Sequence, residues 1–94
     1  MFFAWDVAKA LKNYEKHGVS FEEAATVFDD PLSLEWEDIE HSEREPRMKR
    51  LGISAQRWLL ALVYTKRSLE DGTQTIRIIT ARRASRKERQ IYSG

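Results

Sequence analysis

A chain of 94 residues, 41% hydrophobic, 11% aromatic and 33% charged, has room for one small domain, which hides about 60 to 65% of its unfolded surface on folding. The absence of cysteine excludes a disulfide framework, a thiolate nucleophile and thiolate-ligated metals, and the two histidines, His17 and His41, fall in no metal-binding spacing, so no metal or cofactor is expected. The net charge of +1 conceals a division: residues 1–46 hold 4 Lys/Arg against 12 Asp/Glu, and residues 47–94 hold 12 against 3, a pattern that fits a polyanion partner or, equally, attraction between the halves.

Phe2 to Trp5 reads as a short strand. Asp6 is a good N-cap, and Val7, Ala10, Leu11 and Tyr14 follow the spacing of an amphipathic helix that Gly18 ends. Lys9, Lys12, Asn13 and Lys16 form a second stripe on the same helix, which makes either a phosphate-binding row or a solvated face. Ser20-Phe21-Glu22-Glu23 has the form of a capping box, opening a second helix whose apolar face is Phe21, Ala24, Ala25 and Phe28 and which Asp29-Asp30-Pro31 stops. The short link between the two helices predicts a helical hairpin.

From Leu32 the period becomes two, with Leu32, Leu34 and Trp36 on the expected buried side. Glu37 to Pro46 is an acidic loop, expected to face away from any surface that binds a polyanion. Arg47 to Gly52 forms a further strand, and Trp58 to Tyr64, apolar on both sides, an interior one. Trp5, Trp36 and Trp58 are expected in the core. Asp71-Gly72 marks a turn into a last strand, Thr73 to Ala81, with Ile76, Ile78 and Thr80 on one face and Arg77 and Ile79 on the other. Ser85-Arg86-Lys87-Glu88 is a second capping box, opening a C-terminal helix through Tyr92. The predicted fold is therefore α+β, ordered β-α-α-β-β-β-β-α, with an antiparallel sheet, an N-terminal helical hairpin and a short C-terminal helix over residues 1–94. The longest apolar run is far below the roughly 18 to 20 residues of a membrane span, and Met1 to Asp6 lacks the basic start of a secretory signal, so a cytoplasmic protein is expected. No glycine falls in a dinucleotide, P-loop or nucleophile-elbow pattern.

Several strings then coincide with one family: Trp5-Asp6 with Lys9 and Asn13, Lys16 through Ala24, Val27 through Pro31, His41-Ser42-Glu43 ahead of Arg47, Leu51-Gly52, and Ile76 through Arg89. In this order, over nearly the whole chain, they resemble the BrnT-type toxins. Thr80, Met48 and Trp58-Leu59 depart from the family's usual pattern. The resemblance implies a RelE-like fold and a small ribonuclease, the toxin of a type II toxin–antitoxin pair, that cuts RNA and stops translation. It further implies a BrnA-type antitoxin partner, which covers the toxin and itself contacts operator DNA.

Metal-independent RNA cleavage needs a base for the 2′-OH, cations for the charged phosphorane and an acid for the leaving oxygen. Arg82 and Arg47 are the expected phosphate clamps, since guanidinium forks bind phosphate bidentately. His17 is the candidate base, with capping of its own helix as the alternative role, and Tyr92 is an acid, base or stacking candidate. Lys9, Lys12, Lys16, Arg77 and Arg83 are expected to bind RNA. His41 can take part only if the acidic loop folds over the site. A non-catalytic nucleic-acid-binding module, or a protein that only binds its antitoxin, is the competing reading.

Overall fold

In the computed structural model, which describes residues 1–94, the order is β1 (Phe2–Ala4), α1 (Val7–His17), α2 (Phe21–Ala25), β2 (Leu34–Glu37), β3 (Arg47–Ile53), β4 (Leu59–Ser68), β5 (Gln74–Arg83) and α3 (Arg86–Ser93). Short 3₁₀ turns follow α2 and β2, at Thr26–Asp29 and Ile39–His41. The five strands form one sheet in the order β1-β5-β4-β3-β2. The β2-β3-β4-β5 pairings are antiparallel, as expected, while β1 joins β5 in parallel, Phe3 opposite Ile76. No helix is long and apolar enough to cross a membrane.

Local chemistry sets the helix ends. Asp6 accepts the Lys9 N–H at 3.2 Å, and Gly18, at φ +69°, closes α1 by donating its own N–H to Tyr14 at 2.8 Å. Ser20 caps α2 through the Glu23 N–H. Glu23 does not complete the expected box; its carboxylate instead accepts the Ser54 hydroxyl at 2.7 Å, because the β3–β4 turn folds against this end of α2. The Ser85–Glu88 box of α3 is complete in both directions.

The core is built from Val19, Phe21, Ala24 and Val27 packed on Leu60, Leu62, Tyr64, Ile76, Ile78 and Ala81. Trp5 joins it edge-on to Phe21, as expected, and Phe28 bridges Phe3 and Tyr64. Three expected faces are wholly or partly reversed. On α1, Val7, Leu11 and Tyr14 are 68%, 62% and 57% exposed, whereas Ala10, Asn13 and His17 turn inward. The small Ala10 and the hydrogen-bonding Asn13 let α1 approach β5 closely, which the larger residues would prevent.

On β2 the inward residue is Glu35, which accepts from Tyr64, from Arg50 at 3.2 Å and from Lys66 at 2.9 Å, while Leu34 and Trp36 lie partly exposed on this edge strand. Arg50, stacked 4.4 Å from the Phe28 ring, anchors that network. Leu32 precedes the strand in a turn where its N–H reaches Asp30. Trp58, also expected in the core, is 44% exposed with the Arg83 guanidinium 3.6 Å above its ring.

The third reversal comes from a bulge. Tyr64 pairs with Ile78, yet the next residue back on β4, Val63, pairs with Thr80, so Ile79 is an extra residue on β5. Strict alternation would place Thr80 and Arg82 with Ile76 and Ile78. The inserted residue turns both toward the face that already carries Arg77.

Candidate nucleic-acid interface

The sheet face opposite α2 presents Arg47 from β3, Thr65 from β4, and Arg77, Ile79 and Thr80 from β5, with α1 along one side. Two open cavities share Lys9, Arg47 and Ile79 and so form one groove. The first, about 430 Å³, brings Lys9, Arg47 and Arg77 together with the loop residues His41, Glu43, Arg44 and Glu45. The second, about 330 Å³, runs along α1 past Lys12, Lys16 and His17. Lysines one helical turn apart beside two strand arginines make a cationic track suited to a phosphodiester backbone.

Six of the residues singled out in the sequence therefore meet: Lys9, Lys12, Lys16, His17, Arg47 and Arg77. Asn13, expected beside the lysines on the surface, is instead buried and ties α1 to β5.

Arg82 lines a small neighbouring cavity with Trp36, Lys49 and Thr80, but its guanidinium already holds Glu88 in a two-bond pair at 2.7 and 3.0 Å. The Arg82 bonds hold the Glu88 carboxyl down at about 2, against the opposing effect of burial, and Glu88 in turn strengthens the charge on Arg82.

Arg83 lies over Trp58, and neither it nor Tyr92 lines the groove. The Tyr92 hydroxyl donates to Asp30 at 2.6 Å, which pushes it up to about 12. Burial opposes ionisation of Asp30, but the Ile53 N–H, the Tyr92 hydroxyl and the Leu32 N–H outweigh it and hold that carboxyl below its usual range.

The acidic loop departs most from expectation, because it borders the groove rather than facing away. Its folding-over is fixed by short bonds: Asp38 N–H to Arg47 O at 2.7 Å, Ser42 Oγ to Asp38 O at 2.7 Å, and Arg47 N–H to Ser42 Oγ at 3.0 Å. Glu45 turns toward Arg67, 3.6 Å away. His41 thus becomes a groove residue, beside Lys9, Arg47 and Arg77, the position it could reach only if the loop folded over.

A family model described as the ribonuclease toxin BrnT of type II toxin–antitoxin systems matches residues 5–88. The fold also matches the 1.1 Å crystal structure of the Brucella abortus ribonuclease toxin BrnT, with a TM-score of 0.65 and 18% identity, over 92% of this chain and 100% of that one. No curated protein matches the chain.

Proposed function

The chain belongs to the BrnT family of ribonuclease toxins of type II toxin–antitoxin systems, and from that premise we propose that it is a cytoplasmic, metal-independent endoribonuclease that cuts RNA to block translation. The observation that carries this reading is the convergence of Lys9, Arg47 and Arg77, from α1, β3 and β5, on one cavity. Cleavage within a strand requires a groove open at both ends, and three cations from separate elements can grip a phosphate and stabilise the dianionic phosphorane without help from a bound ion. Lys12 and Lys16 extend the grip along the strand, and His17 lies beside them. Arg82 would join once its pair with Glu88 is exchanged for a phosphate, whereas Tyr92 and Arg83 support the fold around the groove.

Residues 1–94 act as a single toxin domain in this reading. A BrnA-type antitoxin neutralises it by covering the groove, and operator DNA is reached only through that antitoxin. The test is incubation of the antitoxin-free protein with end-labelled RNA in excess EDTA, beside an Arg47→Ala/Arg77→Ala variant. New RNA ends from the wild type alone are expected. RNA left intact by the wild type, with translating ribosomes present as well as without, would favour a non-catalytic module that only holds RNA.

A further inference from the structure

We propose that His41 is the general base of the cleavage reaction and that Asp38 is its positioning residue, an inference that rests on the ribonuclease reading above. Asp38 Oδ2 lies 2.9 Å from His41 Nδ1. A carboxylate at that distance accepts the Nδ1–H, fixes the tautomer and leaves Nε2 as the nitrogen with a free lone pair. The carboxylate itself is well placed to do this: the Asp38 side chain is only 12% exposed, while that of His41 is 62% exposed. The pair thus has a sheltered orienting group and a reachable ring.

Nothing in the structure bonds to Nε2, and His41 lines the same cavity as Lys9, Arg47 and Arg77. Its distance from the phosphate grip is not left to a floppy loop. Asp38 and Arg47 are joined backbone to backbone, and the Ser42 hydroxyl bridges the Asp38 carbonyl and the Arg47 N–H, so base and clamp share one small hydrogen-bonded frame. Asp38 is the charged group in contact with the ring, and the charged residues that line the cavity with it are Lys9 from α1, Arg47 from β3, Arg77 from β5, and Glu43, Arg44 and Glu45 from its own loop. His17, the other imidazole, has no carboxylate partner.

In the step this geometry supports, Nε2 takes the proton of the ribose 2′-OH. The 2′-oxygen bonds to phosphorus as the P–O5′ bond breaks, and the electron pair leaves on O5′. Water in the open cavity protonates O5′, and the hydroxide so formed takes the proton back from the imidazolium. The products are a 2′,3′-cyclic phosphate and a 5′-hydroxyl.

The experiment compares wild type, His41→Ala and Asp38→Asn in single-turnover cleavage of a short RNA, alongside binding of the same oligonucleotide with 2′-O-methyl groups, which cannot be cut. His41→Ala should cut about 10²- to 10³-fold more slowly, bind the uncuttable oligonucleotide within twofold of wild type, and recover part of its rate in added imidazole. Asp38→Asn should lower the rate at saturating RNA at least tenfold with KM within twofold, a split that loss of a merely structural contact would not produce. Cleavage by His41→Ala within threefold of wild type would overturn the inference while leaving the ribonuclease intact, as would loss of RNA binding in that variant. A wild type that makes no cut overturns the reading beneath it, and this inference with it.

Discussion

Asn13 clasps Ala81 from both sides: its Oδ1 accepts the Ala81 N–H at 3.1 Å and its Nδ2 donates to the Ala81 carbonyl at 2.8 Å. The same Nδ2 reaches the Val19 carbonyl at 3.0 Å. One buried amide thus joins α1, the hairpin link and β5, and it does so at a point that holds the lysine stripe beside Arg77 and Thr80. Its three bonds lie away from water, where an unmatched donor or acceptor costs about 1 to 3 kcal/mol. Asn13→Ala should therefore lower stability by roughly 2 to 4 kcal/mol in urea denaturation. A loss below 0.5 kcal/mol would mean that the clasp does not hold the helix.

Gly52 is the second point without slack. A Cβ there would stand 2.7 Å from Ser33 Cβ and 2.8 Å from Val27 Cγ1, and both neighbours are held by the core and by the Arg50–Ser33 bond at 2.6 Å. Gly52→Ala is expected to cost about 1 to 3 kcal/mol as an overpacking substitution, read as a lower melting temperature. An unchanged melting temperature would show that the turn before β2 moves aside freely.

The Arg82–Glu88 pair gives stability a definite acid dependence. The folded Glu88 carboxyl lies at about 2, below its ordinary 4.5, so its contribution is complete above about pH 4.5 and fades as the pH falls toward 2. Solvent around the pair screens part of it, leaving roughly 1 to 2 kcal/mol. Asp30, also held low, contributes with the same sign. Unfolding free energies measured from pH 6 down to pH 2.5 should converge for wild type and Glu88→Gln; a constant gap between them would show that the pair's charge is not what stabilises α3.

Lys12 and Lys16, both exposed on α1, line the groove without a hydrogen bond to Arg47 or Arg77. In the RNA-binding reading each neutralises about one phosphate. Replacing both with alanine should weaken binding of a non-cleavable oligonucleotide and flatten the plot of log affinity against log salt by about 1.4, two contacts at about 0.7 each for a single strand. An unaltered slope would place the RNA elsewhere.

Much of this molecule is written in short-range chemistry. Asp6, Gly18, Ser20 and the Ser85–Glu88 box set helix ends through partners within a turn, while alternation of side chains marks β3 and β5 and an unbroken apolar run marks β4; these signals act over a few residues. The division of charge and the cationic stripe of α1 were equally visible, and so were most of the groove's cations.

What the tertiary structure alone decided depends on partners far along the chain. Asn13 is a surface residue by periodicity until Ala81, 68 positions away, supplies its bonds. Glu35 turns inward only because Arg50, Tyr64 and Lys66 wait beneath it. The extra residue at Ile79 exists only as a mismatch between two paired strands, yet it decides which face Thr80 and Arg82 present. The acidic loop reaches the groove because Ser42 and Asp38 bond back to Arg47, and an ionised surface segment carries no mark of where it will be tied down. Local propensity is a sum over neighbours in sequence, whereas the site is a set of neighbours in space, and burial and pairing across β3, β4 and β5 are what convert one into the other.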